Sequence, residues 1–176
     1  MIETLFSIDA FVTEIKNWKT KKKKLKEHIK DFKYHRRDHT SFETTRFDKS
    51  NINLTSILLN IFNDEFNLFG NECGFNSINI VDSWIAKYKQ YDHHIVHHHG
   101  KVMYSGIIYL DLDPKQESTS FVAPWSNETS GQTKLTKLKC KEGTLIVFPG
   151  HLLHFVQPNL IKKERNIISF DMNCYE

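Results

Sequence analysis

Glycine and proline are scarce in this sequence, 7 and 4 of 176 residues, while phenylalanine reaches 13. Disordered and linker-like chains carry the opposite bias, so this balance points to a packed globular domain. Cysteine is rare as well. Cys73, Cys140 and Cys174 are odd in number, widely spaced and form no C-x-x-C pair. That pattern argues against a disulfide framework and for a reducing compartment, here expected to be the cytoplasm. No apolar run approaches the ~20 residues that cross a bilayer, so no membrane partner is expected. The N-terminus lacks a basic start followed by an apolar block and a small-residue cleavage site, so no signal peptide is expected. Neither sign of charge dominates: 24 basic residues stand against 21 acidic ones, a net charge of +3. Such mild basicity does not by itself indicate a nucleic-acid partner.

With 39% hydrophobic residues, the chain is long enough for one domain with a sizeable core and short for two. We expect a single domain over 1–176, with helical N-terminal support over 1–74 and a β core over 75–176. Residues 2–15 mix β-branched and aromatic side chains and read as a lead-in strand before a helix at 17–32. The polar stretch 34–51 reads as a surface connection. A second helix is expected from Leu54 to about Leu68, capped by Asn53 or Thr55. Its stripe is Ile57, Leu58, Ile61, Phe62, Phe66 and Leu68, and Gly70 and Gly74 are expected to end it. After Gly74 the periods shorten and β-branched residues dominate. Strands are expected over 78–91, 102–112, 121–123, 135–139, 145–148, 153–156 and 167–172, with Glu142-Gly143 as a tight hairpin turn. Short strands separated by turns imply a sandwich or barrel.

One constellation carries chemistry. His97-His98-His99 is followed by His154 and then by Arg165. In an extended strand, residues two apart share a face, so His97 and His99 can reach one ion while His98 points away. His154, from a second strand, can close a facial set of three ligands. Arg165 is then free to fork onto a carboxylate beside the metal. A cluster of histidines alone is equally what a surface loop that captures metal adventitiously looks like. Here the cluster leads into the strand Ser105-Gly106-Ile107-Ile108-Tyr109-Leu110, and His154 follows the strand Gly143 to Pro149. Arg165 lies near apolar Ile167, Ile168 and Phe170, where burial is costly without a partner anion.

These segments resemble the double-stranded β-helix oxygenases that use Fe(II) and 2-oxoglutarate, in their prolyl-hydroxylase-like branch and especially the small oxygenases common in phage genomes. The likeness covers about 81–173. It rests on Trp84-Ile85-Ala86-Lys87-Tyr88, His97-x-His99, Ser105-Gly106-x-x-Tyr109-Leu110, Gly143-x-Leu145-x-x-Phe148-Pro149, Leu153-His154-x-Val156-x-Pro158-Asn159 and Glu164-Arg165-x-x-x-Ser169-Phe170.

The resemblance implies a mainly β fold with flanking helices. This is a double-stranded β-helix of the jelly-roll or cupin kind, with the N-terminal helices packed on one sheet. It implies that His97, His99 and His154 bind and activate the metal and are the catalytic set. It implies that Arg165 binds the far carboxylate of 2-oxoglutarate, that Tyr109 shares that carboxylate, and that Tyr88 lines the cosubstrate pocket. The implied cofactors are Fe(II) and 2-oxoglutarate, with ascorbate as a reductant, and O₂ is the co-substrate. The reaction is hydroxylation of a C–H bond coupled to formation of succinate and CO₂. The primary substrate stays open between a protein side chain, a nucleobase and a small molecule, with protein favoured by likeness. A phage-encoded chain would act in the cytoplasm of a bacterial host.

His99 departs from the wider superfamily, where that position is Asp or Glu. An imidazole there removes one negative charge from the metal's ligands. Asp92, Asp111 and Asp113 are carboxylates nearby in sequence, but none has the expected spacing. A three-His dioxygenase independent of 2-oxoglutarate and a non-catalytic binding module on the same scaffold are the competing readings.

The remaining features have bland readings. Lys21 to Lys24, with Arg36 and Arg37, read as a solvated face. His151 reads as a pocket-rim or surface residue. Phe121 and Trp125 are candidates for a substrate entrance, and 118–132 for a mobile loop over it. Asn127-Glu128-Thr129 is a formal glycosylation sequon, discounted in a chain without a secretion signal. Cys140 and Cys174 read as structural.

Overall fold

The computed structural model describes residues 7–37, 40–48, 53–126 and 130–176. The described chain forms β1 (Phe11–Glu14), α1 (Trp18–Ile29), β2 (Glu43–Thr44), α2 (Leu54–Ile61), α3 (Asn63–Cys73), β3 (Ser77–Tyr88), β4 (His94–His97), β5 (Tyr104–Asp111), β6 (Ser120–Ser126), β7 (Thr133–Lys137), β8 (Thr144–Pro149), β9 (His154–Val156) and β10 (Arg165–Tyr175). The strands make two antiparallel sheets, one ordered β1-β8-β5-β10-β3-β2 and the other β4-β9-β6-β7. This is the double-stranded β-helix architecture. No helix among the described residues is long and apolar enough to cross a membrane.

The central strands β5, β8 and β10 of the larger sheet are buried on both faces, and alternation along them assigns each side chain to a layer. On β8, Leu145 and Val147 join the core shared with the helices, whereas Ile146 and Phe148 enter the core between the sheets. On β10, Ile168, Phe170 and Met172 face the helices and Ile167 faces the second sheet. Leu25, Leu58, Phe66 and Phe69 from the three helices complete the outer layer, and Phe66 meets Phe170 edge-on at 5.3 Å. Gly106 lets that layer close, because a Cβ there would lie 2.1 Å from the ring of Phe170.

Several expectations need correction. The helix expected over 54–68 is two helices. Fully buried Phe62 leaves helical geometry at φ −113° and ψ 22°, and α3 restarts beyond it with Asp64 and Glu65 in its first turn, where carboxylates complement the helix dipole. Gly70 lies inside α3, and only Gly74 terminates it. Asn53 holds the N-cap position without a side-chain hydrogen bond, while Thr55 bonds Ser83 at 2.8 Å. The stretch 34–51 is not merely a surface connection. It supplies β2 and buries Phe42, Thr44 and Thr45. The N-terminal 74 residues thus add two strands, β1 and β2, to the larger sheet as well as helices. Glu142-Gly143 is a turn, with Gly143 at φ 83°, but it joins strands of different sheets and makes no hairpin. Within 118–132, residues 120–126 are strand β6 and not loop. The sequon at 127–129 lies outside the described residues.

The lysine run is also more than a solvated face. Lys21 Nζ donates to both oxygens of buried Glu65, at 3.0 and 2.7 Å, and Lys22 donates to Asp111 and Glu142 at 2.7 Å each. Only Lys23 and Lys24 of the four are exposed. Cys73, Cys140 and Cys174 are free thiols.

Candidate metal and anion site

His97 and His154 face each other across the β4–β9 ladder, with ring centroids 4.2 Å apart. The pairing steps from His94↔Val156 to His97↔His154. Three residues on β4 therefore span two on β9, which is a bulge. The bulge puts His94 and His97 on one side, their rings stacked at 3.8 Å, and leaves Ile95 and Val96 exposed. Strict alternation would have sent His94 and His97 to opposite faces. His99 is not on β4, as simple two-residue spacing supposed. It lies beyond the strand end, where its N–H donates to the carbonyl of Gly150 at 2.7 Å. Its ring is nonetheless 5.2 Å from that of His97 and 5.3 Å from that of His154. One ring nitrogen from each of the three lies within 4.8 Å of the others. His98 is exposed and turned away.

The hydrogen bonds fix which nitrogen is free. Nδ1 of His97 bonds the carbonyl of Ile95 at 2.8 Å, Nδ1 of His154 bonds that of Leu152 at 2.9 Å, and Nδ1 of His99 bonds Asp171 Oδ1 at 2.6 Å. Carbonyls and carboxylates only accept, so each Nδ1 carries a proton and each Nε2 is the nitrogen left to face an ion. Burial pushes the imidazoles well below their ordinary range, His97 to about 4 and His154 to about 3. His94 is lowered to about 3, again chiefly by burial and then by the neighbouring histidines. Three converging imidazoles whose Nδ1 atoms are already hydrogen-bonded are a donor set for a first-row divalent metal, and this arrangement fits such an ion.

Arg165 begins β10 and is 2% exposed. Its Nη1 donates to the carbonyl of Glu117 at 2.7 Å, and its guanidinium lies 4.4 Å over the ring of Tyr88. Nε and Nη2 are buried with no partner. Two orphan donors on a permanently charged, forked group fit a carboxylate. Alternation along β10 places Arg165, Ile167, Ser169 and Asp171 on one face. Arg165 thus stands at one end of the row, and Asp171, which holds His99, at the other. Between them is a narrow cleft lined by residues that include Trp84, Tyr88, Thr119, Phe148, Ile167 and Ser169 together with the histidines.

The structure thus brings His97, His99, His154 and Tyr88 to the cleft wall, with Arg165 packed behind Tyr88. Tyr109 is fully buried, and its hydroxyl donates to Thr119 Oγ1 at 3.2 Å and accepts from the Thr119 N–H at 3.0 Å. Thr119, not Tyr109, reaches the cleft. Asp92 is held by Arg36 at 2.8 and 2.9 Å, Asp111 by Lys22 and Asp113 by Lys163, so all three pair elsewhere. His151 is exposed. Trp125 is 51% exposed and lies with Phe121 along a separate groove.

Sequence reasoning missed His94, Asp171 and Thr119. The two-residue period back from Asp171 through Ser169 and Ile167 to Arg165 could have flagged Asp171. Nothing local signals the bulge that recruits His94.

Comparison with known proteins bears on the family and the fold. The family model described as "Putative 2OG-Fe(II) oxygenase" matches residues 82–171, half of the chain. No curated protein matches. Among solved structures, HygX from Streptomyces hygroscopicus, crystallised with nickel, 2-oxoglutarate and hygromycin B, superimposes with a TM-score of 0.70 at 10% identity, covering 94% of this chain and 82% of its own. A Pseudomonas putida prolyl-4-hydroxylase gives 0.62 at 13% identity, covering 97% and 94%. A 2OG-Fe(II) oxygenase family oxidoreductase from Burkholderia pseudomallei gives 0.65 at 15% identity, covering 86% and 76%. At these identities the superpositions speak for the fold. The family match spans β3 to β10, including all three clustered histidines and Arg165, and on that ground the chain belongs to the 2OG-Fe(II) oxygenase family.

Proposed function

We propose that this chain is an Fe(II)- and 2-oxoglutarate-dependent dioxygenase that hydroxylates its substrate. His97, His99 and His154 hold the iron through Nε2, and Arg165 binds the far carboxylate of 2-oxoglutarate. When bound, iron and cosubstrate supply oxidative decarboxylation to succinate and CO₂, coupled to oxygen insertion into a substrate C–H bond. The residues of the chain supply position and environment. The Nδ1 hydrogen bonds orient each imidazole. Burial keeps the rings of His97 and His154 neutral and ready to ligate. Tyr88 backs the guanidinium of Arg165, and Trp84, Ile107, Phe148 and Ile167 limit water in the cleft. Tyr109 acts through Thr119, which lines the cleft. Ascorbate serves as the external reductant.

One observation carries the reading: a buried guanidinium with two unpaired nitrogens on the same strand face as the carboxylate that holds His99. We favour a protein side chain as the hydroxylated group, from likeness to the prolyl-hydroxylase-like branch. A nucleobase and a small molecule are the alternatives in a substrate panel. Anaerobic addition of Fe(II) and then 2-oxoglutarate tests the site directly. A weak visible charge-transfer band is expected, along with slow succinate release in air without any primary substrate. His154→Ala should abolish the band. Arg165→Ala should weaken 2-oxoglutarate binding and leave metal uptake intact. Metal uptake with no response to 2-oxoglutarate would instead indicate a three-His dioxygenase, and no metal uptake a binding module.

A further inference from the structure

We infer that Asp171 is a positioning residue for His99, and that its carboxylate delivers through the imidazole the negative charge that a directly ligating carboxylate supplies in a two-His-one-carboxylate site. The inference rests on the metal-binding reading above. His97 and His154 donate Nδ1–H to main-chain carbonyls, which are neutral acceptors. His99 alone of the three donates to a carboxylate, at 2.6 Å. His99 is also the ligand candidate that stands where the H-x-(D/E) pattern has its acid. Two independent features, a sequence departure and a contact made by a residue 72 positions away, thus meet on one ring.

The contact is built for that role. Asp171 is 4% exposed. Its Oδ1 also accepts from Ser105 Oγ at 2.8 Å, and Arg46 approaches Oδ2 at 3.6 Å. The ring of Trp84 stacks on His99 with centroids 5.7 Å apart and planes 13° from parallel, and Arg46 lies 3.9 Å over Trp84. The hydrogen bond therefore sets the rotation of the imidazole, and the stack sets its plane. A charge-assisted bond from Nδ1–H to a buried carboxylate makes Nε2 a more basic ligand.

The test is an anaerobic Fe(II) titration of the full chain and of Asp171→Asn, with the Fe(III)/Fe(II) potential of each loaded protein. Asparagine keeps the size and an accepting oxygen but loses the charge. We expect Fe(II) affinity to fall by about 10–100-fold and the potential to rise, since less negative charge reaches the ferric state. Asp171→Asn with wild-type affinity and potential overturns the assignment while the metal site stands. A wild-type chain that takes up no Fe(II) overturns both. Should Asp171→Asn fail to fold, the wild-type protein loaded with Zn(II) decides the matter by nitrogen-edited proton NMR. The Nδ1–H of His99 should be clearly more deshielded than those of His97 and His154, and three equivalent resonances overturn the inference.

Discussion

Arg165 and Tyr88 face each other across the β3–β10 ladder, and the guanidinium carbon of one stands 4.4 Å from the ring centre of the other. The ring shields the cation but cannot satisfy its N–H groups, and Nε and Nη2 stay orphaned. A buried charge without a partner destabilises the ligand-free fold. Arg165→Met should accordingly leave the ligand-free melting temperature unchanged or raise it, by an equivalent of about 1–2 kcal/mol. The same variant should lose the stabilisation that 2-oxoglutarate gives the metal-loaded wild type, about 2.7 kcal/mol at one hundred times its Kd. Thermal melts of both proteins with and without cosubstrate check this.

The absent side chain of Gly106 predicts a second effect. Adding a Cβ puts it 2.1 Å from Cζ of Phe170, which is fully buried against the helices. Gly106→Ala should cost about 1–3 kcal/mol and lower metal affinity, since Gly106 and Phe170 both border the cleft. Denaturant unfolding and metal titration read the two consequences separately.

Acid should loosen the metal-free protein in a defined window. His94, His97 and His154 have folded-state values of about 3, 4 and 3, against an ordinary value near 6.5. Between those limits the unfolded chain binds protons that the folded chain refuses, so stability is highest above pH 6.5 and falls as pH drops toward 3–4. His154→Phe, which keeps an aromatic ring but cannot protonate, should flatten the slope over that window in pH-dependent melts.

Lys21 is expected to matter far more than its neighbours in the run. Glu65 is 4% exposed and accepts from Lys21 Nζ and from the backbone N–H of Lys16. Lys21→Ala strands a buried carboxylate and should cost about 3 kcal/mol. Lys23→Ala, on the exposed side, should stay within about 0.5 kcal/mol. Chemical denaturation distinguishes the two.

The parts of this molecule that the sequence makes legible are those where periodicity and chemistry coincide. Leu145 to Phe148 reads as a strand buried on both faces because every residue is apolar, His97 and His99 stand out because consecutive imidazoles lead into a strand, and His154 because it follows another. Phe62 hides the break between α2 and α3, since its side chain continues the apolar stripe while its backbone leaves the helix. Asp171 is a half-legible case. The two-residue period places it on the face of Arg165, but its partner His99 is fixed only once β10 is registered against β5. Lys21 and Lys22 looked solvated because their acids lie 44 and 89 residues away.

β4 is an edge strand of the smaller sheet, where its one ladder partner is β9. An ion gripped jointly by His97 and His154 would act as a rivet across that single seam, with His99 anchoring the chain just past it. Stripping the metal with a chelator should then unfasten the sheet's margin before anything deeper gives way, and amide exchange at 94–97 should accelerate first. The centre that arms the chemistry would double as the clasp that keeps its own doorway in shape.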